Sequence, residues 1–203
     1  MASIYKLIFP VLASLVWAPL AHAGAAERAN VIIKEKCSLC HGASGEASNS
    51  IYPRLAGQNQ DYLTKQMRNF RDGIRQSDTM GEMTKDLKDD EIDVLARHFS
   101  QQPKLSHRIS SRKKSLEAVG SYIYHKGNKY TKIPACASCH GAEGAGSENL
   151  PRLAGQHQSY VASQLQAFHE RKRTNDNAVM HAIAKNLTEL ELRAVALYVS
   201  GLK

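Results

Sequence analysis

Apolar residues recur at helical spacing twice in each half of the chain. Tyr62, Leu63, Met67 and Phe70 lie along one face with Gln66, and Tyr160, Val161, Leu165 and Phe168 lie along another with Gln164. A later pair of segments carries Ile92, Leu95, Ala96 and Phe99, matched by Leu192, Val195, Ala196 and Val199. A shorter helix is predicted before the first cysteine of each half, from about Arg28 to Lys36 and from about Leu116 to His125. Thr188 and Glu191 have the spacing of a capping box at the start of the last helix. Lys88 stands where Thr188 does, so the first half needs another cap, and Asp89 is the expected one. No run of alternating residues reads as a strand. The expected fold is all-α.

The first residues have a different pattern. Lys6 precedes an apolar run from Leu7 to Leu20, broken by Pro10 and Pro19, and Ala21-His22-Ala23 fits a small-x-small cleavage site. These are the three parts of a secretory signal peptide, here residues 1–23, expected to be cleaved. A bilayer span needs ~20 apolar residues, which this run lacks, so an uncleaved anchor is the weaker alternative. Export implies a bacterial periplasm.

The remainder is a tandem repeat. Cys37-Ser38-Leu39-Cys40-His41-Gly42-Ala43 returns 99 positions later as Cys136-Ala137-Ser138-Cys139-His140-Gly141-Ala142. Pro53-Arg54-Leu55-Ala56-Gly57-Gln58 returns unchanged, 98 positions later, as Pro151-Arg152-Leu153-Ala154-Gly155-Gln156. Leu87 and Glu91 return 100 positions later, so the offset drifts by two just before Met80 and Met180. Two small domains follow, at 24–101 and 116–203, joined by a polar, basic linker at 102–115.

C-x-x-C-H occurs twice and uses all four cysteines. It is the attachment signature of c-type haem. Cys37 and Cys40 in one copy, and Cys136 and Cys139 in the other, can reach the two vinyl groups of one porphyrin. His41 and His140 then arrive beneath the iron as axial ligands. A disulfide would not explain the histidine after each pair. Zinc would need a fourth ligand at each motif, in a tetrahedron the spacing does not favour. Two covalently bound haem c groups are therefore expected. A domain of ~90 residues buries a modest core, and a porphyrin would supply the missing apolar centre.

The sixth ligand can be chosen by the repeat. Met67 matches Leu165 and Met83 matches Ile183, which are generic core positions. Met80 and Met180 match each other, each seven residues before the paired leucines Leu87 and Leu187. They are the expected iron ligands. His181, the rival beside Met180, faces Gly81 in the first copy. His–Met ligation fills both axial positions, leaves none open for a substrate and raises the potential. No catalytic residue stands out, and the protein is expected not to be an enzyme.

At this point the chain resembles the cytochrome c₄ family, periplasmic two-domain dihaem cytochromes c. The two C-x-x-C-H motifs, the repeated Pro-Arg-Leu-Ala-Gly-Gln and the trailing methionines carry the resemblance. It implies two class I cytochrome c domains related by a pseudo-twofold axis, with the haem propionates near their interface. It implies that the carbonyls of Pro53 and Pro151 orient the axial histidines, and that Arg54 and Arg152 lie near propionates. It implies electron transfer from a bc₁-type donor towards a terminal oxidase, often of the cbb₃ type. Two departures affect local packing: His98 stands where Tyr198 sits in the second copy, and Arg171 replaces Gly73.

The formal charge is +8, and it is unevenly placed. Residues 24–101 hold 11 basic and 12 acidic side chains, whereas residues 102–203 hold 15 and 7. The basic half suits an acidic redox partner or peripheral contact with an anionic membrane surface. A monomer is expected, with no nucleic-acid partner. Two other functions share part of this pattern. One is the cytochrome subunit of a periplasmic dehydrogenase, for example one acting on sulfur compounds. The other is a dihaem peroxidase, disfavoured because both copies keep a methionine.

Overall fold

The structure, a computed structural model, describes residues 20–203. The predicted signal segment up to residue 19 lies outside the described residues. Ten α-helices follow: α1 (Leu20–Ile32), α2 (Ser38–His41), α3 (Gln60–Arg71), α4 (Asp78–Thr84), α5 (Asp89–Ser100), α6 (Lys114–Lys126), α7 (Ala137–His140), α8 (Gln158–His169), α9 (Val179–Ala184) and α10 (Glu189–Gly201). Among the described residues the only β-type pairing is an isolated bridge between Asn128 and Ile133. The chain is thus all-α and built twice on one plan: α1 to α5, then α6 to α10.

In each copy the first and last long helices pack together, and the central helix packs on the last one. Ile92, Leu95, Ala96 and Phe99 of α5 bury against Leu63 of α3 and Ala29 of α1. In the second copy Val195, Ala196 and Val199 of α10 bury against Val161 and Leu165 of α8 and Ile123 and Tyr124 of α6. These are the residues that the helical spacing placed on one face. Cys37 packs against the first core and Cys136 against the second, so each haem motif is anchored in its domain's apolar interior.

The caps show where local chemistry decides the boundaries. Thr188 Oγ1 accepts from Glu191 N–H, and Glu191 accepts in return from Thr188 N–H, as the box spacing predicts. In the first copy Glu91 accepts from Lys88 N–H, but Asp90, not Asp89, accepts from Glu91 N–H. Asp89 is instead drawn to the guanidinium of Arg71, at 2.7 Å.

The two copies meet through reciprocal bonds from the repeated motif. Gln58 Nε2 donates to Arg152 O, and Arg152 N donates to Gln58 Oε1. Gln156 Nε2 donates to Arg54 O, and Arg54 N donates to Gln156 Oε1. Each glutamine reads the other domain's backbone as an extra strand would, and exchanging the copies leaves the pattern unchanged. This is the pseudo-twofold axis. His157 departs from it: its Nε2–H donates to Ala47 O of the first domain at 2.6 Å, and its Nδ1 faces His107 Nε2 at 3.0 Å. Asn59 occupies the equivalent place and donates to three carbonyls, of Ala145, Ser147 and Leu150.

Candidate functional site

Each C-x-x-C-H motif forms a single helical turn. Cys37 and Cys136 are the N-caps of α2 and α7, and Gly42 and Gly141 end these turns with φ of +77° and +79°. A side chain is strained in that conformation, so glycine after the histidine is what lets the chain turn away at once. The turn puts both cysteines of a motif on one side, three residues apart. The approach differs between copies. A π-helical turn, Ile33–Cys37, leads into the first motif, the kind of bulge that often marks a functional site. The second is reached through the bridged segment that holds Asn128 and Ile133.

None of the four cysteines is joined in a disulfide. Burial pushes the Cys37 and Cys136 thiols up to about 11. A redox-active Cys pair needs the opposite, a thiol pulled down toward neutrality. An apolar thiol environment suits a neutral thioether instead.

His41 and His140 are both buried. His41 Nδ1–H donates to Pro53 O at 2.9 Å, and His140 Nδ1–H donates to Pro151 O at 3.3 Å. The resemblance named these two prolyl carbonyls. Bonding through Nδ1 leaves Nε2 free to face a metal and sets the plane of the ring. Burial lowers the pKa of both imidazoles, against the raising effect of the carbonyl bond, and so favours the neutral form, the one in which an imidazole can bind a metal. Tyr52 packs edge-on against His41, with 6.1 Å between ring centres. Leu150 stands before Pro151 in the second copy, so that contact has no counterpart there.

Met80 and Met180 occupy equivalent places, each in the first turn of a short helix, α4 and α9. Ser77 Oγ accepts from Met80 N–H, and Asp176 Oδ2 accepts from Met180 N–H at 2.6 Å. Both methionines are half-buried. The rivals are engaged elsewhere: Met67 packs into the first core, and His181 Nδ1 is bonded to Phe168 O at 2.9 Å.

The two repeated arginines differ. Arg54 Nη1 donates to Gly155 O at 2.7 Å across the domain boundary. Arg152 is buried, and its Nη2 has no partner. Burial lowers the pKa of both guanidiniums. A buried guanidinium with an unbonded nitrogen matches a carboxylate, as a haem propionate would present. The thiols, the neutral imidazoles and this orphaned nitrogen all fit haem c.

Sequence reasoning missed Arg75 and Arg173. Both are buried and both bond across the boundary, to Gln66, Gln164 and the hydroxyls of Tyr160 and Tyr62. The signal was present: they lie 98 positions apart, the offset of the repeated motif.

Comparison with known proteins agrees with this geometry. A family model described as "Cytochrome c" matches residues 120–203, and one described as "Cytochrome C oxidase, cbb3-type, subunit III" matches residues 24–98. The chain is 35% identical to cytochrome c4 of Pseudomonas aeruginosa over 201 residues, covering 97% of this chain and 98% of that one. It is 33% identical to the thiosulfate dehydrogenase electron acceptor of Thiomonas intermedia, covering 96% and 89%. The crystal structure of reduced recombinant cytochrome c4 from Pseudomonas stutzeri superposes with a TM-score of 0.80 at 30% identity, covering 88% and 98%. The chain belongs to the cytochrome c4 family: it is a dihaem c-type cytochrome that carries electrons on two covalently bound haem c groups.

Proposed function

We propose that the protein is a periplasmic electron carrier that receives electrons from a bc₁-type complex and delivers them to a terminal oxidase. In this reading the domains are 24–101 and 116–203, joined by 102–115. Cys37, Cys40, Cys136 and Cys139 bind the haems, and His41, Met80, His140 and Met180 are the axial ligands. Each haem, when bound, takes up and releases one electron.

The observation that carries the reading is the matched pair of sites. In both copies a prolyl carbonyl holds the histidine through Nδ1, and a capping side chain holds the methionine backbone at the start of a short helix. Side chains locked this way need little rearrangement when the charge at the site changes. With both axial positions filled, neither copy offers a place for substrate. Among the described residues no helix is long and apolar enough to cross a membrane. Arg112, Lys113 and Lys114 are exposed between the domains and give the chain a basic face for an acidic partner or an anionic lipid surface.

A second reading has one specific support: the relative from Thiomonas intermedia is an electron acceptor of thiosulfate dehydrogenase. The same sites would then take electrons from an enzyme that oxidises a sulfur compound. One experiment separates the two. The purified protein is reduced and mixed with membranes containing the oxidase, and separately oxidised and mixed with thiosulfate and its dehydrogenase. Fast re-oxidation by the membranes, weakened by salt and by Lys113→Glu with Lys114→Glu, supports the first reading. Reduction by the dehydrogenase without re-oxidation by any oxidase establishes the second.

A further inference from the structure

The segment that joins the domains is seated on the second one. A Cβ on Gly155 would overlap the carbonyl of Leu105, and one on Gly201 would overlap Ile109. Between these crossings His107 N–H donates to Ser200 O at 2.9 Å. The His107 ring is thereby held against His157, with Nε2 of the first 3.0 Å from Nδ1 of the second. His157 is only 4% exposed, and its own Nε2 lies 2.6 Å from Ala47 O of the first domain. Ala47 is fully buried, and its N–H donates to His41 O at 2.7 Å. Ser159 Oγ donates to Ser50 O at 2.6 Å. The second domain thus fastens, at two points, the loop that follows the proposed axial histidine of the first.

These contacts fix where the protons are. A carbonyl only accepts, so His157 carries its proton on Nε2 and offers Nδ1 as an acceptor. His107 must then donate from Nε2, which leaves its Nδ1 to take a proton. An imidazolium at His107 would keep the same bond and strengthen it with charge. A second proton, on His157 Nδ1, would set two N–H groups against each other. The pair has room for one added proton and titrates as a unit. Arg54 of the first domain faces both rings, and on its open side His107 lines a cleft with Arg108, Lys114 and Glu117. Glu117 is paired with Lys114, and among the described residues no carboxylate pairs with either imidazole. Burial, the largest cause, lowers the pKa of both rings, and Arg54 adds to it in both. The Ala47 bond opposes this in His157. The other copy has no such group: Asn59, an amide that does not titrate, holds the carbonyls of Ala145, Ser147 and Leu150 after His140.

We propose that His107 and His157 form a proton-linked positioning pair for the first haem: His157 fixes the loop after His41, and one proton taken up by the pair raises the reduction potential of that haem more than that of the second. Positive charge near a haem favours its reduced form, which carries one more electron. When the first haem gains an electron, the pair draws a proton from solvent, and nothing else changes hands. The potential of the first haem rises as pH falls. The second haem, whose loop is held by Asn59, follows pH less.

The inference rests on His41 and Met80 as ligands of the first haem, and on no particular donor or acceptor protein. Met80→His, titrated at neutral pH, tests that footing. It should lower one wave, and lowering of neither overturns the ligand reading and the inference with it. The inference itself is tested by potentiometric titration of the full, haem-loaded protein at about pH 8 and about pH 5, either side of the ordinary histidine range. Between the two, the reduction equilibrium of the first haem should rise about threefold, or ~28 mV for one electron, and that of the second by less than half as much. His157→Asn installs the residue of the other copy, keeps a neutral donor toward Ala47 and removes the shared proton. The two waves of that variant should move alike with pH. A first wave that keeps its excess shift in His157→Asn, or that shows none in the unaltered protein, overturns the proposal while leaving the ligand reading intact. Should His157→Asn fail to fold, the imidazole C–H resonances of the unaltered protein carry the test. Those of His107 and His157 should titrate together, with a midpoint about half a pH unit higher in the reduced protein than in the oxidised one, as reciprocal linkage requires. Separate midpoints, or one midpoint that ignores the oxidation state, overturn it.

Discussion

The two copies bury the same carboxylate, one against a cation and the other against neutral donors. Glu91 and Glu191 both sit in the first turn of the last helix of their domain, 2% and 6% exposed. Each closes a capping bond with one oxygen. In the first copy the other oxygen pairs with Arg28, which reaches in from α1. In the second copy it accepts from Asn128 Nδ2 at 2.6 Å and from Thr131 Oγ1 at 3.4 Å, both from the segment after α6. The fold therefore requires a buried glutamate at this position but not a particular partner. The freedom lies in the stretch before the first cysteine. One copy closes that stretch with a π-helical turn, and the other with a bridged loop. The first copy takes its donor from α1 and the second from the bridged loop.

The comparison breaks most sharply where the first and last helices cross. In the second copy α6 approaches α10 at Gly120, where a Cβ would overlap the carbonyl of Ala194. In the first copy α1 carries Ala29, fully buried. Gly120→Ala should cost about 3 kcal/mol or more, since backbone, not a flexible side chain, must move. Ala29→Gly should cost only ~1 kcal/mol, from backbone entropy. Denaturant unfolding of the haem-loaded protein reads both. A cost below that of Ala29→Gly would mean that the helices cross no closer in the second copy.

The glutamate itself gives a smaller contrast. Arg28→Ala leaves Glu91 buried without its cation and should cost about 2 kcal/mol, tempered by the exposure of the arginine side chain. Asn128→Ala leaves Glu191 with Thr188 and Thr131, and should cost about 1 kcal/mol. Equal costs would show that the partners are interchangeable in strength as well as in place. The second site also has a pH signature. Burial raises the Glu191 pKa, but bonds from Asn128 and Thr188 outweigh it and hold the carboxyl below its ordinary value. Its contribution is thus present at neutral pH and is lost as pH falls below about 4.5, through the lowered folded value. Asn128→Ala should flatten that part of the acid-unfolding curve.

A third contrast concerns the position after the central helix. Gly73 and Arg171 have nearly the same backbone, with φ of +71° and +60°. The replacement therefore leaves the turn intact and places a non-glycine residue in the left-handed region. A Cβ at Gly73 would meet nothing within 4 Å, so the cost is conformational, not steric crowding by neighbours. Arg171→Gly should stabilise the protein by ~1 kcal/mol, and Gly73→Ala should destabilise it by a similar amount. A loss of stability in Arg171→Gly would mean that the arginine side chain makes up for its backbone.

These contrasts show which parts of the molecule were legible beforehand. The long helices were, because Leu63, Phe70, Leu95 and Phe99 and their counterparts repeat at helical spacing twice over, and chance does not duplicate a pattern in order. The same duplication singles out the histidine and methionine positions proposed as ligands. The reason for the repeated Pro-Arg-Leu-Ala-Gly-Gln was not legible. Gln58 and Gln156 look like surface residues in a linear chain, and only folding shows each one bonded to the opposite backbone. Arg75 and Arg173 escaped for the same reason: a buried arginine and an exposed one have the same spelling. The π-helical turn and the Asn128 bridge depend on how each helix packs before its cysteine, which no local pattern encodes. Asp89 was misplaced as a cap because Arg71, 18 residues earlier, competes for it.

The smallest expected difference between the copies is functional. Net charge is expected to decide which haem has the higher potential. Residues 24–101 carry 11 basic and 12 acidic side chains and residues 102–203 carry 15 and 7, a difference of nine in net charge. One charge ~15 Å from an iron contributes about 0.3 kcal/mol at the dielectric of water. Screening over more than a Debye length of ~8 Å cuts that several-fold. Nine together give on the order of 0.5–1 kcal/mol, or a few tens of millivolts for one electron. The second haem, with His140 and Met180 as its proposed ligands, should therefore be the higher-potential one. Electrons would enter more easily through the first domain and rest on the second, beside the basic segment that faces a partner. Met80→His marks the first haem by lowering its potential, so the wave left in place belongs to the second domain. That wave should be the upper of the two seen in the unaltered protein. If it is the lower one, burial and bonding around each iron outweigh the surface charge, and the asymmetry in charge serves docking alone.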